Sequence, residues 1–589
     1  MRKFLLGFLI GILFAGLAVV ILGFAVARFG SRRPVSIANN STLVLQLEGD
    51  VPERAPVEFP LPFLNQEQHI TVAETWQMLR NAAADSRIKA LVFEPRDLTV
   101  GWAKLEEIRD DILTFKKSGK PVYAYLRGAG THEYYVASAA DRVFMSPEDD
   151  LDVKGLRAEL MFVKNTLDKL GVNLEFQHVG KYKDAPDMFT KTSSSPETRE
   201  VINLLLDQLF GDFVNTVAQG RNKPPAEVRA LIDNGPFVGK EALNGGLLDA
   251  LAYEDEMYGQ LQDRLKLGNL NKVAEHDYVR APSTNLGVEG PTRIALLVGE
   301  GDITRGATND RGADTGITAS GMVRLLRQVR DDSSIKGVIL RIDSPGGDGI
   351  ASDDILHEAK LLSQKKPTVI SMSDLAASGG YFIAMTGDPV IAYPNTETGS
   401  IGVFFGKLNL RALYDKIGLN KELFTRGRFA DIDTDYKPLN DQQRAKLQTE
   451  LEGFYSGFVQ RVAEGRKRKY DQIEPLAQGR VWTGAQAKVN GLVDQLGGLD
   501  RAVEVVKQRA KIGASEKITL VAYPPRRNVL EMLLNRETDL TSIGSQILDS
   551  RMEARVRALF GDLPIHSLMH GALSQGGILP LMPYTVTVR

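Results

Sequence analysis

The sequence predicts an α/β protein made of two tandem copies of one domain, preceded by a transmembrane helix. Three observations lead to this prediction: a repeat that recurs after about 246 residues, an alternation of strand and helix patterns within each copy, and an uncharged apolar run near the start. A chain of 589 residues is too long for one hydrophobic core, so a duplication is expected on length alone.

The repeat consists of short matched segments that occur in the same order in both halves. Residues 85–93 match residues 332–340, and residues 239–249 match residues 484–494. We therefore expect an N-terminal repeat over 40–270, a polar linker over 271–292 and a C-terminal repeat over 293–515. Further matches pair Lys120 with Lys366, Tyr135 with Tyr381, and Asp141 with Asp388. The region after about Lys517 has no visible partner, and residues 516–589 are expected to be a C-terminal extension.

Each copy alternates β-rich runs with amphipathic stretches. Such alternation is typical of βαβ units, in which helices cover a largely parallel sheet. The expected helices include residues 72–84 and 321–330, and the expected strands are residues 42–47, 90–93, 122–126, 294–298, 338–342 and 368–372.

The N-terminus predicts a membrane anchor. Residues 4–26, from Phe4 to Val26, carry no charge, and the anchor with its basic flanks spans residues 1–33. This apolar run is long enough to cross a bilayer and longer than the core of most signal peptides, which favours an uncleaved anchor in contact with membrane lipid. Basic residues flank both ends, so the charge pattern alone leaves the orientation open.

The composition excludes several classes of site. There are no cysteines, so disulfides, thiol nucleophiles and thiolate metal sites are excluded. The seven histidines lack metal-ligand spacing, and the net charge of −2 does not indicate a nucleic-acid partner. We therefore expect no metal and no cofactor.

The two copies differ in a complementary way. The second copy has Asp-Ser-Pro-Gly-Gly at 343–347 and Ala-Ala-Ser-Gly-Gly at 376–380, and the first copy has neither motif. The first copy has Lys183 where the second has Ala430. One site built from both halves would explain why each copy lacks what the other retains.

Ser378 is the candidate nucleophile. It follows a predicted strand and precedes two glycines, which places it at the start of a helix where backbone N–H groups can face negative charge. Gly346 and Gly347 offer a second set of such groups. A serine nucleophile needs a base. His357 is expected to be a solvated residue on a helix. His132 occupies nearly the position of the serine in the first copy, and we interpret it as part of an inactive site.

Lysine remains as the base. Lys183 would have to be buried, because a free lysine with a pKa of about 10.4 is protonated at neutral pH. Ser400, within Thr-Gly-Ser-Ile-Gly at 398–402, can supply a hydroxyl that orients the amine.

These motifs resemble the long, duplicated form of bacterial signal peptide peptidase A, also called protease IV. The match runs from the anchor to about residue 515. It carries the family serine onto Ser378, the lysine of Gly-x-Tyr-Lys onto Lys183 rather than Lys181, and the lysine-orienting serine onto Ser400. The resemblance also places the oxyanion hole at Gly347 and Gly379.

The resemblance implies a crotonase- or Clp-protease-like fold, a Ser/Lys serine endopeptidase and a homotetramer in the bacterial cytoplasmic membrane, with its soluble part on the periplasmic or extracytoplasmic side. The implied substrates are remnant signal peptides that signal peptidase has already released. Other apolar, extended peptides are expected to bind as well. A substrate groove is expected near Gly346, Ile401 and Val403, where a peptide would pair with a strand edge.

Two other functions remain open at this stage. A crotonase-type enzyme acting on acyl-CoA would also use glycine N–H groups as an oxyanion hole, although the anchor and the Ser/Lys pair count against it. A non-catalytic membrane scaffold is disfavoured because the motifs of the second copy and Lys183 are all retained.

Overall fold

The computed structural model describes residues 36–55, 70–282, 286–306, 316–525 and 578–579. Each half of the chain forms its own sheet with helices packed around it. The sheet of the first half is parallel, and that of the second half is parallel except where Val481–Thr483 pairs antiparallel with Glu397–Gly399. The strands of the first half are β1 Ser41–Glu48, β2 Ile88–Arg96, β3 Val122–Leu126, β4 Ala129–Gly130, β5 Arg142–Met145, β6 Asp150–Asp152, β7 Asn173–Val179, β8 Phe237–Val238, β9 Ala250–Leu251 and β10 Asn271–Ala274.

The second half repeats this arrangement with longer central strands. Its strands are β11 Thr292–Glu300, β12 Ile303–Thr304, β13 Ile317–Thr318, β14 Ile335–Ser344, β15 Thr368–Ala377, β16 Val390–Ala392, β17 Glu397–Gly399, β18 Val403–Asn409, β19 Val481–Thr483, β20 Gln495–Leu496 and β21 Ile518–Tyr523, and the two-residue strand β22 is Ile578–Leu579.

Helices connect the strands in both halves. In the first half they are α1 Val72–Ala84, α2 Trp102–Lys116, α3 Thr131–Ala137, α4 Lys164–Leu170, α5 Asp187–Thr190, α6 Pro196–Arg221, α7 Pro225–Ile232, α8 Gly239–Asn244, α9 Glu254–Leu265 and α10 Glu275–Arg280. In the second half they are α11 Ala319–Asp331, α12 Gly349–Lys365, α13 Gly379–Ile383, α14 Arg411–Ile417, α15 Asp441–Gly465, α16 Tyr470–Ile473, α17 Gly484–Asn490 and α18 Leu499–Arg509, with a 3₁₀ turn at Glu474–Leu476.

The two main sheets confirm the predicted α/β class. The first has the strand order β10-β1-β2-β3-β5-β9 with parallel pairings throughout, and the central path of the second is β19-β17-β15-β14-β11-β21. Helix α1 begins where the sequence indicates it, because Thr71 and Glu74 form a capping box: the Thr71 hydroxyl accepts from the Glu74 N–H at 3.1 Å, and the Glu74 carboxylate accepts from the Thr71 N–H at 3.0 Å.

The structure differs from the expected boundaries at the end of each repeat. β10 lies inside the expected linker and pairs with β1, and β21 lies in the expected C-terminal extension and pairs with β11. These two edge strands occupy equivalent positions, so the stretch after Lys517 does have a counterpart in the first copy. Their similarity is hidden in the sequence because an edge strand shares only one side with its sheet and tolerates different residues.

A third sheet joins the two repeats. β7 of the first repeat pairs antiparallel with β18 of the second, in a register that runs from Val179 opposite Val403 to Asn173 opposite Asn409. Gly406 lies opposite Phe176, and a Cβ at Gly406 would come within 2.4 Å of the Phe176 ring. This pairing carries the turn after β7, and with it Lys183, onto the second repeat.

A buried ion network also crosses between the repeats. Arg341 of β14 lies 2.6 Å from Glu53 and 2.5 Å from Glu107 of α2, and all three side chains are buried. Breaking such a buried pair is costly because it leaves an uncompensated charge in a region of low dielectric constant. The network therefore holds the two repeats in one relative position.

No helix among the described residues is long and apolar enough to cross a bilayer. The expected anchor, residues 4–26, lies outside the described residues.

Candidate active site

Ser378 lies in the turn between β15 and α13. Its φ of 55° is in a region that non-glycine residues rarely adopt, a conformation that costs of order 1–3 kcal/mol and is typical of functional sites. Its N–H donates to the Gly399 carbonyl at 2.8 Å, and its own carbonyl accepts from the Phe382 N–H at 2.8 Å. These bonds hold the hydroxyl at the N-terminal end of the helix.

Lys183 reaches the same point from the first repeat. It lies in the turn after β7, where its N–H donates to the Gly180 carbonyl at 3.1 Å. Its Nζ atom lies 2.8 Å from Ser378 Oγ, 3.0 Å from Ser400 Oγ and 3.2 Å from the Ser400 carbonyl oxygen. The structure thus brings together three of the residues selected from sequence.

Burial controls the charge of the lysine. Lys183 and Ser378 have no exposed surface. Burial lowers the pKa of the Lys183 amine well below its ordinary value of 10.5, and the neighbouring Asp184 opposes this shift. Burial raises the pKa of Asp184 itself to about 6, against a hydrogen bond from Thr198, so this carboxyl counteracts the shift only in part. A neutral amine can accept the proton of the Ser378 hydroxyl.

Ser400 is held by its backbone. Its φ is 49°, and its N–H donates to the Arg480 carbonyl at 2.7 Å. Both Ser400 oxygens therefore face the amine of Lys183 and can orient it, leaving the lone pair for Ser378.

The glycines of the two second-repeat motifs lie against each other. A Cβ at Gly379 would come within 3.0 Å of the Gly346 Cα and 3.1 Å of the Gly347 nitrogen, and a Cβ at Gly347 would come within 1.9 Å of the Ile303 carbonyl. Across the part of the chain that the structure describes, the N–H groups of Gly347 and Gly379 donate to no protein acceptor. Two neighbouring backbone donors next to a buried serine can bind an oxyanion.

Two of the residues expected to line a substrate groove, Ile401 and Val403, lie in the protein interior. Ile401 and Val403 are fully buried, so their side chains belong to the core of the second repeat and present no open wall. The Ile401 carbonyl accepts from the Gly479 N–H at 2.8 Å, and Val403 pairs with Val179. One edge of β18 is covered by β7, and the other edge pairs with β22.

The equivalent position in the first repeat has no serine. Tyr134 and Tyr381 each donate to the carbonyl of a matched leucine at 2.7 Å, which makes Tyr134 the counterpart of Tyr381. The sequence match to Tyr135 was therefore wrong by one residue, and Thr131, not His132, corresponds to Ser378. Glu133 lies next to this position, and its carboxylate accepts from the N–H groups of Leu98 at 2.6 Å and Gly130 at 2.9 Å.

Two glycines near the lysine were not selected from sequence. A Cβ at Gly479 would lie 2.7 Å from the Lys183 Cβ, and a Cβ at Gly402 would lie 3.2 Å from the Lys183 Cδ. Both allow the backbone to close over the aliphatic part of Lys183 and keep it dry. Gly402 ends the Thr-Gly-Ser-Ile-Gly motif and could have been found there, whereas Gly479 has no local signal.

Comparison with known proteins identifies the family of the chain. The profile of peptidase family S49 matches the chain twice, at residues 114–268 and 360–513. The chloroplastic serine protease SPPA of Arabidopsis thaliana is 33% identical over 534 residues, which cover 90% of this chain and 77% of that protein. Protease 4 of Haemophilus influenzae is 30% identical over 538 residues, 86% of this chain and 85% of its own length. Protease 4 of Salmonella typhi is 32% identical over 476 residues, 78% of this chain and 75% of its own. The chain belongs to peptidase family S49, carries the family domain twice, and is a serine-type peptidase of the long, duplicated form.

Proposed function

We propose that Ser378 is the nucleophile of this peptidase and Lys183 its general base. The observation that carries the proposal is the 2.8 Å separation of Lys183 Nζ and Ser378 Oγ, two buried atoms from different repeats. The lowered pKa of Lys183 supports the role, because a base must be unprotonated at working pH.

The reaction would proceed in two halves. Ser378 Oγ attacks the peptide carbonyl carbon as the Lys183 amine takes its proton, and the N–H groups of Gly347 and Gly379 stabilise the oxyanion. The Lys183 ammonium then protonates the leaving amine, and the peptide C–N bond breaks to leave an ester on Ser378. A water molecule gives a proton to Lys183 and attacks that ester, which releases the acid and restores both side chains.

We propose apolar, extended peptides as substrates, in particular remnant signal peptides. Support comes from the edge of β18 next to the site, where β22 pairs antiparallel so that Phe404 lies opposite Leu579 and Phe405 opposite Ile578. This edge therefore accepts an extended apolar segment through backbone hydrogen bonds, the mode by which many proteins bind peptides. The resemblance of the site motifs to those of signal peptide peptidase A supports the same substrate class.

We further propose a homotetramer anchored through residues 4–26, with the soluble part outside the cytoplasm and each repeat crotonase- or Clp-like. The way β7 of the first repeat pairs with β18 of the second supports assembly. The reciprocal pairing, between the segment of the second repeat equivalent to β7 and the segment of the first equivalent to β18, does not occur among the described residues. The counterparts of these strands are residues 420–426 and 156–162, and in the described chain neither belongs to a helix or strand. Phe424 is 82% exposed and Met161 55% exposed, as expected if another subunit covers them.

The experiment is hydrolysis of a synthetic signal peptide carrying a fluorophore and a quencher. Ser378→Ala should reduce kcat at least about a thousandfold without loss of folding. Thr131→Ala, at the equivalent position of the first repeat, should retain kcat. Full activity of Ser378→Ala would overturn the nucleophile assignment, and turnover of an acyl-CoA thioester but not of the peptide would favour the crotonase-type alternative.

A further inference from the structure

The N-terminal end of α2 in the first repeat lies against the strand that leads to Ser378. Asp374 of β15 precedes Ser378 by four residues. Its carboxylate accepts from the Gly101 N–H at 3.1 Å and from the Lys104 N–H at 2.8 Å. Helix α2 has no capping side chain of its own, so an acid of the second repeat supplies its N-cap.

The Lys104 side chain contacts the Asp-Ser-Pro-Gly-Gly motif at 343–347. Its Nζ lies 2.8 Å from Asp343 Oδ2, and 3.9 Å from Asp374 Oδ2. Asp343 is the first residue of the Asp-Ser-Pro-Gly-Gly motif that ends in Gly347. Its other oxygen, Oδ1, accepts from the Leu375 N–H at 3.0 Å, so Asp343 also ties the glycine motif to β15.

Lys104 is a buried cation among acids. The residue is 3% exposed, and its amine lies 4.0 Å from a third carboxylate, that of Glu300. Burial alone would lower the pKa of Lys104, but the surrounding carboxylates, with Asp343 and Asp374 first among them, together outweigh it and hold the pKa well above its usual value. Lys104 therefore stays charged at neutral pH, where burial raises the pKa values of Asp374 and Glu300 to about 7, and it is the cation that favours the ionised form of these acids.

The network joins a lysine of the first repeat to acids of the second, and the reverse arrangement does not occur among the described residues. The position equivalent to Lys104 in the second repeat is Ala351, and those equivalent to Asp343 and Asp374 in the first repeat are Arg96 and Arg127. Those arginines pair locally instead, Arg96 with Glu94 at 3.2 Å and Arg127 with Asp149 at 3.0 Å. Among the described residues, the reverse network, from the second repeat onto the first, is therefore absent.

We propose that Lys104 is a positioning residue for the peptidase reaction. By binding Asp343 and sharing Asp374 with the N-terminus of α2, it fixes the ends of β14 and β15, and so the distance between the oxyanion N–H groups and Ser378 Oγ. The inference rests on the proposed function, since it assumes that Ser378, Gly347 and Gly379 do the chemistry. The first repeat then contributes both the base and the support for the nucleophile.

The test compares charge variants in the full chain with the fluorogenic signal peptide. Lys104→Met should reduce kcat about 10- to 100-fold with KM within about twofold, because a displacement of about 1 Å at the reacting atoms has that effect. Lys104→Arg keeps the charge and should recover most of the loss. Lys117→Met removes an exposed charge at the end of the same helix and should change neither constant.

A second pair of variants covers the case in which Lys104→Met does not fold. A Cβ at Gly101 would lie 2.3 Å from Asp374 Cγ, so Gly101→Ala should displace Asp374 and also lower kcat. Gly259→Ala, in a helix where a Cβ would meet nothing within 4 Å, is its control. Unchanged kcat in a folded Lys104→Met or Gly101→Ala protein, or a change in KM alone, overturns the positioning role. Activity in Ser378→Ala, measured alongside, would instead overturn the proposed function.

Discussion

The Nζ atom of Lys183 lies 2.8 Å from the Oγ atom of Ser378, although the two residues belong to different repeats of one chain. Both side chains are fully buried, and the amine has the two oxygens of Ser400 as its other neighbours. Under the proposed mechanism, the protonation state of this one amine is therefore expected to affect both the rate of hydrolysis and the stability of the fold.

Replacing Lys183 should abolish hydrolysis, whereas replacing its exposed neighbour should not. Lys183→Ala is expected to lower kcat at least about a thousandfold because no other base lies within reach of Ser378 among the described residues. Lys181→Ala serves as the control. The wild-type rate should rise with pH around an apparent pKa well below the free-lysine value of about 10.4. A rate that rises only near that value, or a loss of hydrolysis in Lys181→Ala, would contradict the assignment of Lys183 as base.

The same amine should make folding depend on pH. The pKa of Lys183 is lowered in the folded state, so the unfolded chain binds the proton more tightly and stability falls as pH decreases from about 10.4. Lys183→Met should raise the free energy of unfolding at pH 7, with a gain that shrinks toward pH 10. Urea unfolding at both pH values measures this, with Lys181→Met as the exposed control. A gain that does not vary with pH would argue against a buried neutral amine.

Asp184 should tune the base. Its negative charge opposes the lowering of the Lys183 pKa, so Asp184→Asn should move the rising limb of the pH–rate profile to lower pH. The pKa of Asp184 is raised from 3.8 to about 6, so its ionisation costs stability as pH rises through that range. Asp184→Asn should therefore add up to about 3 kcal/mol to stability at pH 8, and much less at pH 4. Asp168→Asn, at an exposed site, should leave the profile in place, and an unmoved profile for Asp184→Asn would refute the coupling.

Ser400 should matter less than either member of the pair. Ser400→Ala removes the hydroxyl 3.0 Å from Lys183 Nζ but leaves the carbonyl at 3.2 Å. One hydrogen bond of about 1–3 kcal/mol corresponds to a decrease in kcat of about 5- to 150-fold, with little change in KM. The exposed Ser118→Ala is the control. A loss as large as that of Ser378→Ala would mean that Ser400 takes a direct part in proton transfer.

Much of the fold was predictable because its signals are local. Helix α1 has the predicted limits of Val72 and Ala84, and strand β3 the predicted limits of Val122 and Leu126. Periodicity, a capping box and runs of β-branched residues act over a few positions and do not need a partner. The exact match of the repeats was less secure, and the tyrosine hydrogen bonds correct it by one residue.

The features that were missed depend on what lies opposite a residue. The sequence does not show that β10 and β21 belong to the repeats, because an edge strand has a weak pattern. It also does not show that Ile401 and Val403 are buried, because that depends on the packing of β18 and on its pairing with β7. Lys104 was not selected, since a lysine in a helix is usually solvated. Its burial beside Asp343 follows only from the packing of one repeat on the other.

The sequence by itself determined the α/β class, the duplication and the selection of Ser378 and Lys183, because the two copies retained complementary motifs. Only the tertiary structure decided that the two side chains meet within one chain. The physical reason is the antiparallel pairing of β7 with β18, which carries the turn holding Lys183 onto the other repeat. It also decided the charge of the amine, since a lowered pKa requires the surrounding groups to exclude water, and residues distant in sequence supply them.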